Sequence, residues 1–165
     1  MALTSYSGLK ASIADWLNRS DLTNQIDDFI GLAEADFNAK LRIRQMEQID
    51  AITIDSETET LRFGPAPDTS YTGYLSYYKS FGALSDSNTT NYILTNHPGI
   101  YLYGSLYHAA NFLGGIDPNQ TQQWLQMYIA AMERCENNDK QDSYGGAPVQ
   151  QRTDVQTDLS FYRAR

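Results

Sequence analysis

The stretch Thr95–Gly115, TNHPGIYLYGSLYHAANFLGG, decides the fold of this 165-residue chain. Pro98 suits the first position of a helix, with His97 or Asn96 as the capping residue, and Gly114 suits its end. Between them, apolar and aromatic residues cover the whole circumference, a pattern typical of a helix that is buried on all sides. The stretch therefore predicts a central helix over Pro98–Leu113, with Gly104 at a point where another backbone comes close.

Two amphipathic helices are predicted before this stretch. The first lies in TSYSGLKASIADWLN, with Thr4 or Ser5 as its cap. The second runs from about Leu22 to about Met46, with Asp21 as its cap. Its apolar residues recur at helical spacing and form one stripe: Ile26, Phe29, Ile30, Ala33, Phe37 and Leu41. Four polar residues lie off that stripe: Asp27, Glu34, Asn38 and Arg42.

Three β-branched and aromatic segments follow, AITID, ETLRF and YTGYLSYY, with turn residues between them. They predict a small antiparallel hairpin or a three-stranded meander at about residues 49–78. In the last segment Tyr71, Leu75 and Tyr77 alternate with Tyr74 and Tyr78, so aromatic side chains lie on both faces. We expect both faces to contact protein, because tyrosine is enriched at interfaces.

A last helix is predicted after GGIDPN, with Asp117 as its cap, Pro118 after the cap and an end near Asp139 to Ser143. Residues 144–165 have no period and read as an extended arm. The predicted fold class is mainly α: an antiparallel helix bundle with a small β insertion, residues 1–143, followed by that arm. The arm ends in residue types enriched at interface hot spots, which predicts contact with another protein or a neighbouring copy: Leu159, Phe161, Tyr162, Arg163 and Arg165.

Composition narrows the function classes. The net charge of −8 argues against a conventional nucleic-acid-binding protein. A single cysteine excludes an internal disulfide and favours a reducing cytoplasm. Neither an apolar run long enough to span a membrane nor a signal peptide is visible.

No catalytic constellation is visible, so we predict no catalytic residue, no metal, no cofactor and no enzymatic activity. His108 is interpreted as a packing histidine rather than a catalytic base, and Cys135 as a buried thiol. Three neighbouring cations, Lys40, Arg42 and Arg44, leave two readings open. They suit the end of a helix, and they could equally face a phosphate backbone or an acidic partner.

Several stretches resemble the head-to-tail adaptor, or connector, proteins of tailed bacteriophages, especially short-tailed ones. In the first half these stretches are WLNRSDL, LAEADFN and LRIRQME. In the second half they are YLSYYKSF, the stretch from YILTNHPG to NFLG, and QQWLQMYIAAME. The resemblance covers Leu9 to about Glu133. The segment between Met46 and Tyr77 is shorter than the β-rich insertion of many family members.

The resemblance implies a structural virion protein that forms a ring, usually of twelve copies, at the virion neck after assembly in the host cytoplasm. Such a ring docks under the portal, extends the DNA channel and offers a platform for tail or nozzle proteins. Genomic DNA would pass without sequence-specific binding, and an acidic wall suits this because it repels phosphate.

Two other interpretations remain open on the residues alone. One is a DNA-packaging accessory factor, similar to a small terminase subunit, which would bind DNA through Lys40, Arg42 and Arg44. The other is a small enzyme with an aromatic pocket around Tyr107 and His108. Salt-dependent DNA affinity would favour the first, and a deep pocket at His108 would favour the second.

Overall fold

The computed structural model of the chain describes residues 3–54 and 69–143. Its helices are α1 (Tyr6–Leu17), α2 (Thr23–Lys40), α3 (Tyr92–Asn96), α4 (Pro98–Leu113) and α5 (Pro118–Ser143). Its strands are β1 (Glu47–Ile54) and β2 (Tyr71–Tyr78), which form a two-stranded antiparallel sheet. The mainly α fold class is confirmed. The predicted ETLRF strand and the arm 144–165 lie outside the described residues.

Helix α4 is the centre of the bundle, as its sequence predicts. It begins at Pro98 and ends at Leu113, where Gly114 adopts the left-handed conformation, with φ of 62°. It packs against α1, α2, α3 and α5, and Tyr101 and Leu106 on it are fully buried. Only its last turn departs from the predicted burial on all sides. Phe112 is 62% exposed there, although its ring also contacts the ring of Phe29.

The apolar stripe of α2 packs against α4. All six predicted stripe residues are buried, and the Phe37 ring meets the Tyr101 ring at 5.1 Å between centroids. Glu34 was predicted to lie off the stripe, and this is wrong: only 8% of it is exposed. Its carboxylate is buried because it accepts hydrogen bonds from the Leu84 N–H and the Tyr101 hydroxyl.

The predicted end of α2 near Met46 is also wrong. The helix ends at Lys40, and Leu41 is extended, with ψ of 140°. Extended backbone turns alternate side chains to the same side, so Leu41 and Ile43 both enter the core while Arg42 stays exposed. The chain then makes one 3-10 turn, Arg44–Met46, before β1.

Helix caps account for the other helix boundaries. The Ser5 hydroxyl accepts a hydrogen bond from the Gly8 N–H at the start of α1, and the Asp117 carboxylate accepts one from the Asn119 N–H at the start of α5. Asp21 does not cap α2, because both of its oxygens accept hydrogen bonds from Arg19, at 2.7 and 2.6 Å. Leu22 precedes α2 and offers no side-chain cap.

The tight contact at Gly104 gives a stability prediction. It is side chains, rather than the predicted backbone, that come close: a Cβ atom at Gly104 would lie 3.0 Å from Cε2 of Tyr128 and 3.1 Å from Cβ of Ala33. Overpacking of this kind costs about 1–3 kcal/mol, so Gly104→Ala should lower the free energy of unfolding by that amount. Urea unfolding measures the change.

A second helical glycine is the matched control. Gly31 on α2 is exposed, and no other atom lies within 4 Å of where its Cβ would be. Gly31→Ala should therefore raise the free energy of unfolding by roughly 0.5–1 kcal/mol, because alanine favours the helix. If both variants shift stability in the same direction, close packing at Gly104 is not the cause.

Candidate interaction surfaces

The β1–β2 sheet carries exposed aromatic and apolar side chains on both faces. Strand register sets the two faces, because directly paired residues of antiparallel strands share a side. Glu47 pairs with Tyr78, Ile49 with Ser76 and Ala51 with Tyr74, and these six residues define the Tyr74 face. Gln48 pairs with Tyr77, Asp50 with Leu75 and Ile52 with Gly73 on the opposite Tyr77 face, which also carries Tyr71.

Neither face is packed on the helix bundle. Each strand contacts its partner strand far more than it contacts any helix. Tyr74 is 76% exposed and Ile49 is 67% exposed, and Tyr71, Leu75 and Tyr78 are exposed as well. The prediction that both faces contact protein is therefore not met by the helices, and it stays a prediction about other contacts.

Hydrogen bonds hold two of the tyrosine rings at the base of the sheet. The Tyr77 hydroxyl donates to Oδ2 of Asp50 at 2.6 Å, and the Gln48 amide donates to Oδ1 of the same carboxylate at 3.0 Å. These two bonds hold the pKa of Asp50 below its ordinary value. On the other face, the Tyr78 hydroxyl donates to Glu47 at 3.2 Å. The rings therefore stand in fixed positions and present area at low entropic cost.

A buried polar network fixes the segment after β2 to the bundle. Oε1 of Glu34 accepts from the Leu84 N–H at 2.8 Å and from the Tyr101 hydroxyl at 2.9 Å. One turn along α2, Oδ1 of Asn38 accepts from the Phe81 N–H at 3.0 Å. This network was not predicted from the sequence. Its signal was the spacing of Glu34 and Asn38, which places both polar residues on one side of α2.

The Glu34 carboxyl predicts a measurable pH dependence. Burial raises the pKa of Glu34 above its ordinary value of 4.5, and the two hydrogen bonds it accepts oppose that rise. A carboxyl whose pKa is raised on folding stabilises the native state most below its unfolded pKa, and that contribution is lost as the pH rises through the folded pKa. Glu34→Gln has no such group, so the wild type should lose stability relative to this variant between about pH 4 and pH 7.

Urea unfolding of both chains across this pH range measures the difference directly. Glu133→Gln, at an exposed position on α5, controls for the removal of one negative charge. Parallel stability curves for the wild type and Glu34→Gln would show that burial does not perturb this carboxyl.

The three predicted cations each contact oxygen atoms of the same chain. Nη1 of Arg42 donates to the carbonyls of Asn38, at 3.0 Å, and Leu41, at 2.6 Å, at the end of α2. Nε of Arg44 lies 3.5 Å from Asp139 on α5, and Nζ of Lys40 lies 3.9 Å from Asp36. Arg44 thus joins the 3-10 turn after α2 to α5, and neighbouring carboxylates offset the charges of Lys40 and Arg44.

His108 and Cys135 are each packed among side chains of the bundle. Nε2 of His108 is 3.2 Å from Oδ2 of Asp36, out of line for a hydrogen bond, and the ring packs against Tyr107. Cys135 is buried, and burial raises the pKa of its thiol to about 11, so it stays protonated at neutral pH and is a poor nucleophile. A concavity of about 260 Å³ lies elsewhere, at the α1–α2 turn, between Ala14 and Ser20.

The described part of the chain shows neither a metal-binding cluster nor a membrane-spanning helix. Residues 3–54 and 69–143 contain no group of histidine, cysteine, aspartate or glutamate side chains that could hold a metal ion. No helix among the described residues is both long and apolar enough to cross a membrane.

Most of the chain matches the model of one protein family. The model of a family described as SU10 adaptor protein matches residues 4–61 and 52–152. The chain belongs to the SU10 adaptor protein family. As an SU10 adaptor protein it is a structural phage adaptor of the virion. The match therefore supports the predicted resemblance to phage adaptor proteins. A search of curated proteins finds no significant match.

The two matched segments of this SU10 adaptor protein overlap at residues 52–61. This is the region between Met46 and Tyr77 in which the resemblance indicates a shortened β insertion. The sites predicted in the arm, Leu159, Phe161, Tyr162, Arg163 and Arg165, lie outside the described residues.

Proposed function

We propose that this adaptor forms a ring at the virion neck, between the portal and the tail proteins, and acts there without catalysis. The ring extends the DNA channel and offers a platform for tail or nozzle proteins, with twelve copies as the resemblance implies. One observation carries the proposal: in a chain of the adaptor family, a fixed aromatic sheet stands uncovered by its own helices.

The sheet suits this role because its exposed apolar side chains are unfavourable in water, and contact with a partner protein would bury them. Soluble monomers rarely expose a contiguous apolar patch of this kind unless it is an interaction site. A ring contact joins two different surfaces of the subunit, and the sheet offers two faces of different composition. The Tyr74 face carries Ile49 and Tyr74, whereas the Tyr77 face carries the hydrogen-bonded Asp50.

Net charge supports passage of DNA through the ring rather than binding to it. The chain carries a charge of −8, and Lys40, Arg42 and Arg44 each lie against oxygen atoms of the same chain. Repulsion of phosphate lets DNA slide through a channel without being held.

Mass photometry of the chain mixed with the portal of the same phage tests the proposal. Mass should rise in steps of one subunit on the portal until the ring closes. No binding at micromolar concentration would contradict the adaptor role. Fluorescence anisotropy with duplex DNA tests the packaging alternative, which requires affinity that falls steeply with salt and is reduced by Arg42→Ala and Arg44→Ala.

The arm provides a second contact to test. Deleting residues 149–165 removes its aromatic and arginine end, and these residue types dominate interface energy. We expect the shortened chain to unfold at the same temperature as the full chain but to bind the portal at least roughly tenfold more weakly. Binding at full strength would make the arm dispensable.

A further inference from the structure

A run of contacts joins three helices across one flank of the bundle. The Trp16 ring of α1 meets the Tyr103 ring of α4 edge-on, with 6.0 Å between their centroids. Beside Tyr103, a Cβ atom at Gly99 would lie 3.5 Å from Cε2 of that ring and 3.8 Å from Cβ of Ala131 on α5. Helices α1, α4 and α5 therefore contribute to one continuous surface.

Helix α5 extends this surface in both directions along its axis. Met127 lies one turn before Ala131 and Arg134 one turn after it, so these three residues lie on the same side of α5. Together with the contacts from α1 and α4, they define the α1–α4–α5 strip: Trp16, Gly99, Tyr103, Met127, Ala131 and Arg134.

The strip lies along a gap between helices. Helices α1 and α5 both pack on α4 but make little contact with each other. Trp16 is 49% exposed and Met127 is 37% exposed, and Gly99, Tyr103 and Ala131 are half-buried. A group of apolar side chains that remains in contact with water in this way is typical of an interaction site.

The charge of the strip differs from that of the chain as a whole. The chain has a net charge of −8, yet the strip carries one cation and no carboxylate. Arg134 is exposed, and no carboxylate among residues 3–54 and 69–143 forms an ion pair with it, whereas Lys10, Lys40 and Arg44 each lie near an aspartate. Arginine beside aromatic side chains is typical of interface hot spots. The strip therefore suits an aromatic partner surface that carries a carboxylate.

The Tyr74 face of the sheet has this complementary composition. It carries Ile49 and Tyr74, and its one charged residue is Glu47, which is exposed. The Tyr78 hydroxyl donates to Oε1 of Glu47, and a carboxylate held in this way can still accept from an arginine because it has about four acceptor sites.

The dimensions of the two surfaces also agree. Ala51, the partner of Tyr74 in the register, lies four residues after Glu47, or about 14 Å along the strand. The strip crosses three helices, and packed helix axes lie about 8–10 Å apart. Glu47 can therefore lie on Arg134 while Tyr74 reaches the Tyr103 ring.

The positions of the two surfaces suit a contact between successive copies. The sheet leaves the bundle beside α5, because Arg44, three residues before Glu47, lies 3.5 Å from Asp139. Asp139 and Arg134 are five residues apart, which is about 7.5 Å along α5 and about 140° around it. The base of the sheet and Arg134 thus lie at nearly the same level on different sides of one helix. Rotation about a ring axis joins two such surfaces of successive copies and closes the ring.

We propose that the Tyr74 face of one copy packs on the α1–α4–α5 strip of the next, with Glu47 of the first copy paired to Arg134 of the second. This inference rests on the ring in the proposed function and adds the two surfaces that meet between copies. The contact buries Ile49, Tyr74, Trp16 and Met127 together, and it leaves the opposite Tyr77 face for another partner.

Charge reversal tests the proposal, with mass photometry on the portal of the same phage as the measurement. Glu47→Lys places lysine against Arg134 in every contact between copies, and Arg134→Glu places glutamate against Glu47. Like charges that face each other across an interface are strongly unfavourable. The first subunit should still bind the portal as the native chain does. The protein concentration that completes the ring should rise at least roughly tenfold for either variant.

A one-to-one mixture of the two variants gives the decisive result. When the variants alternate, the introduced lysine meets the introduced glutamate at one contact, and Glu47 meets Arg134 at the following contact. Every contact then joins opposite charges, and the order closes in any ring with an even number of copies. The mixture should complete rings within roughly threefold of the native concentration. A chain with both substitutions should do the same, which shows that both are compatible with folding.

Two reversals elsewhere are matched controls. Lys140→Glu makes the same charge change as Arg134→Glu at another exposed position on α5, and Asp28→Lys matches Glu47→Lys at an exposed position on α2. Neither control should change the concentration that completes the ring by more than about twofold, and all variants should melt within about 2 °C of the native chain.

The outcomes separate this inference from the ring itself. Complete rings from either variant alone at the native concentration would overturn it, and so would a mixture that assembles no better than its components. Loss of binding by the first subunit would assign Glu47 or Arg134 to the portal and would overturn the contact between copies. Each of these results leaves the adaptor role in place if the native chain forms rings. Failure of the native chain to form any ring would overturn both proposals.

Discussion

Replacing Phe37 by alanine is expected to lower the free energy of unfolding by about 3–5 kcal/mol, the range for a buried phenylalanine cut back to a methyl group. Phe37 is fully buried on α2, and its ring meets the edge of the Tyr101 ring. Tyr101 also donates a hydrogen bond to Glu34. This hydrogen bond holds the Tyr101 side chain in place. Tyr101 therefore cannot move far into the cavity that the Phe37 ring would leave.

Thermal unfolding gives the measurement. A domain of this length loses about 2–4 °C per kcal/mol, so the midpoint should fall by about 6–20 °C. Leu32→Ala is the matched control, because Leu32 lies on the same helix but is 51% exposed and should change stability by no more than about 0.5 kcal/mol. Equal melting points for Phe37→Ala and the wild type would contradict the packing of α2 on α4.

Periodicity predicted the bundle because its core follows from local pattern. The stripe of α2 repeats at helical spacing over about four turns, and α4 is apolar on every side between a proline and a glycine. Each pattern has one physical solution, a helix that buries that surface. The positions of Ser5, Pro98, Gly114 and Asp117 at helix ends follow from the same local chemistry.

The failures share a different cause, which is that long-range contacts decided the structure. LRIR reads equally well as the last turn of a helix or as an alternating strand, and burial of both Leu41 and Ile43 favoured the extended form. Glu34 reads as a surface residue until the Leu84 N–H and the Tyr101 hydroxyl reach it from segments 50 and 67 residues away. Neither outcome is encoded within a window of one helix.

For the candidate site, the sequence predicted the strand but not the exposure of its two faces. The alternation in YTGYLSYY correctly indicated a strand with aromatic residues on both faces, and β2 spans Tyr71–Tyr78. The pattern could not indicate whether the bundle covers one of those faces, because that depends on where the strands emerge from it. In the structure the sheet stands apart from the helices, and this makes its surface available to partners.

Replacing Ile49 and Tyr74 together by threonine is expected to weaken docking on the portal or on a neighbouring copy by at least roughly 100-fold, because interface hot spots of this kind each contribute about 2 kcal/mol or more. Both residues lie on the Tyr74 face and are its most exposed large side chains, at 67% and 76%. Threonine is β-branched and preserves the strand, so the melting point should shift by no more than about 2 °C.

Binding to the portal by mass photometry or by titration gives the comparison, with Leu32→Gln as the control. Leu32 is an exposed leucine of α2, away from the sheet, so its replacement removes a similar apolar side chain and should leave docking within about twofold. Equal weakening by both variants would show a general effect of surface polarity. Full docking by the Ile49 and Tyr74 double variant would remove the Tyr74 face from the assembly contact and leave the opposite face, with Tyr71, Leu75 and Tyr77, as the surface that the ring must use.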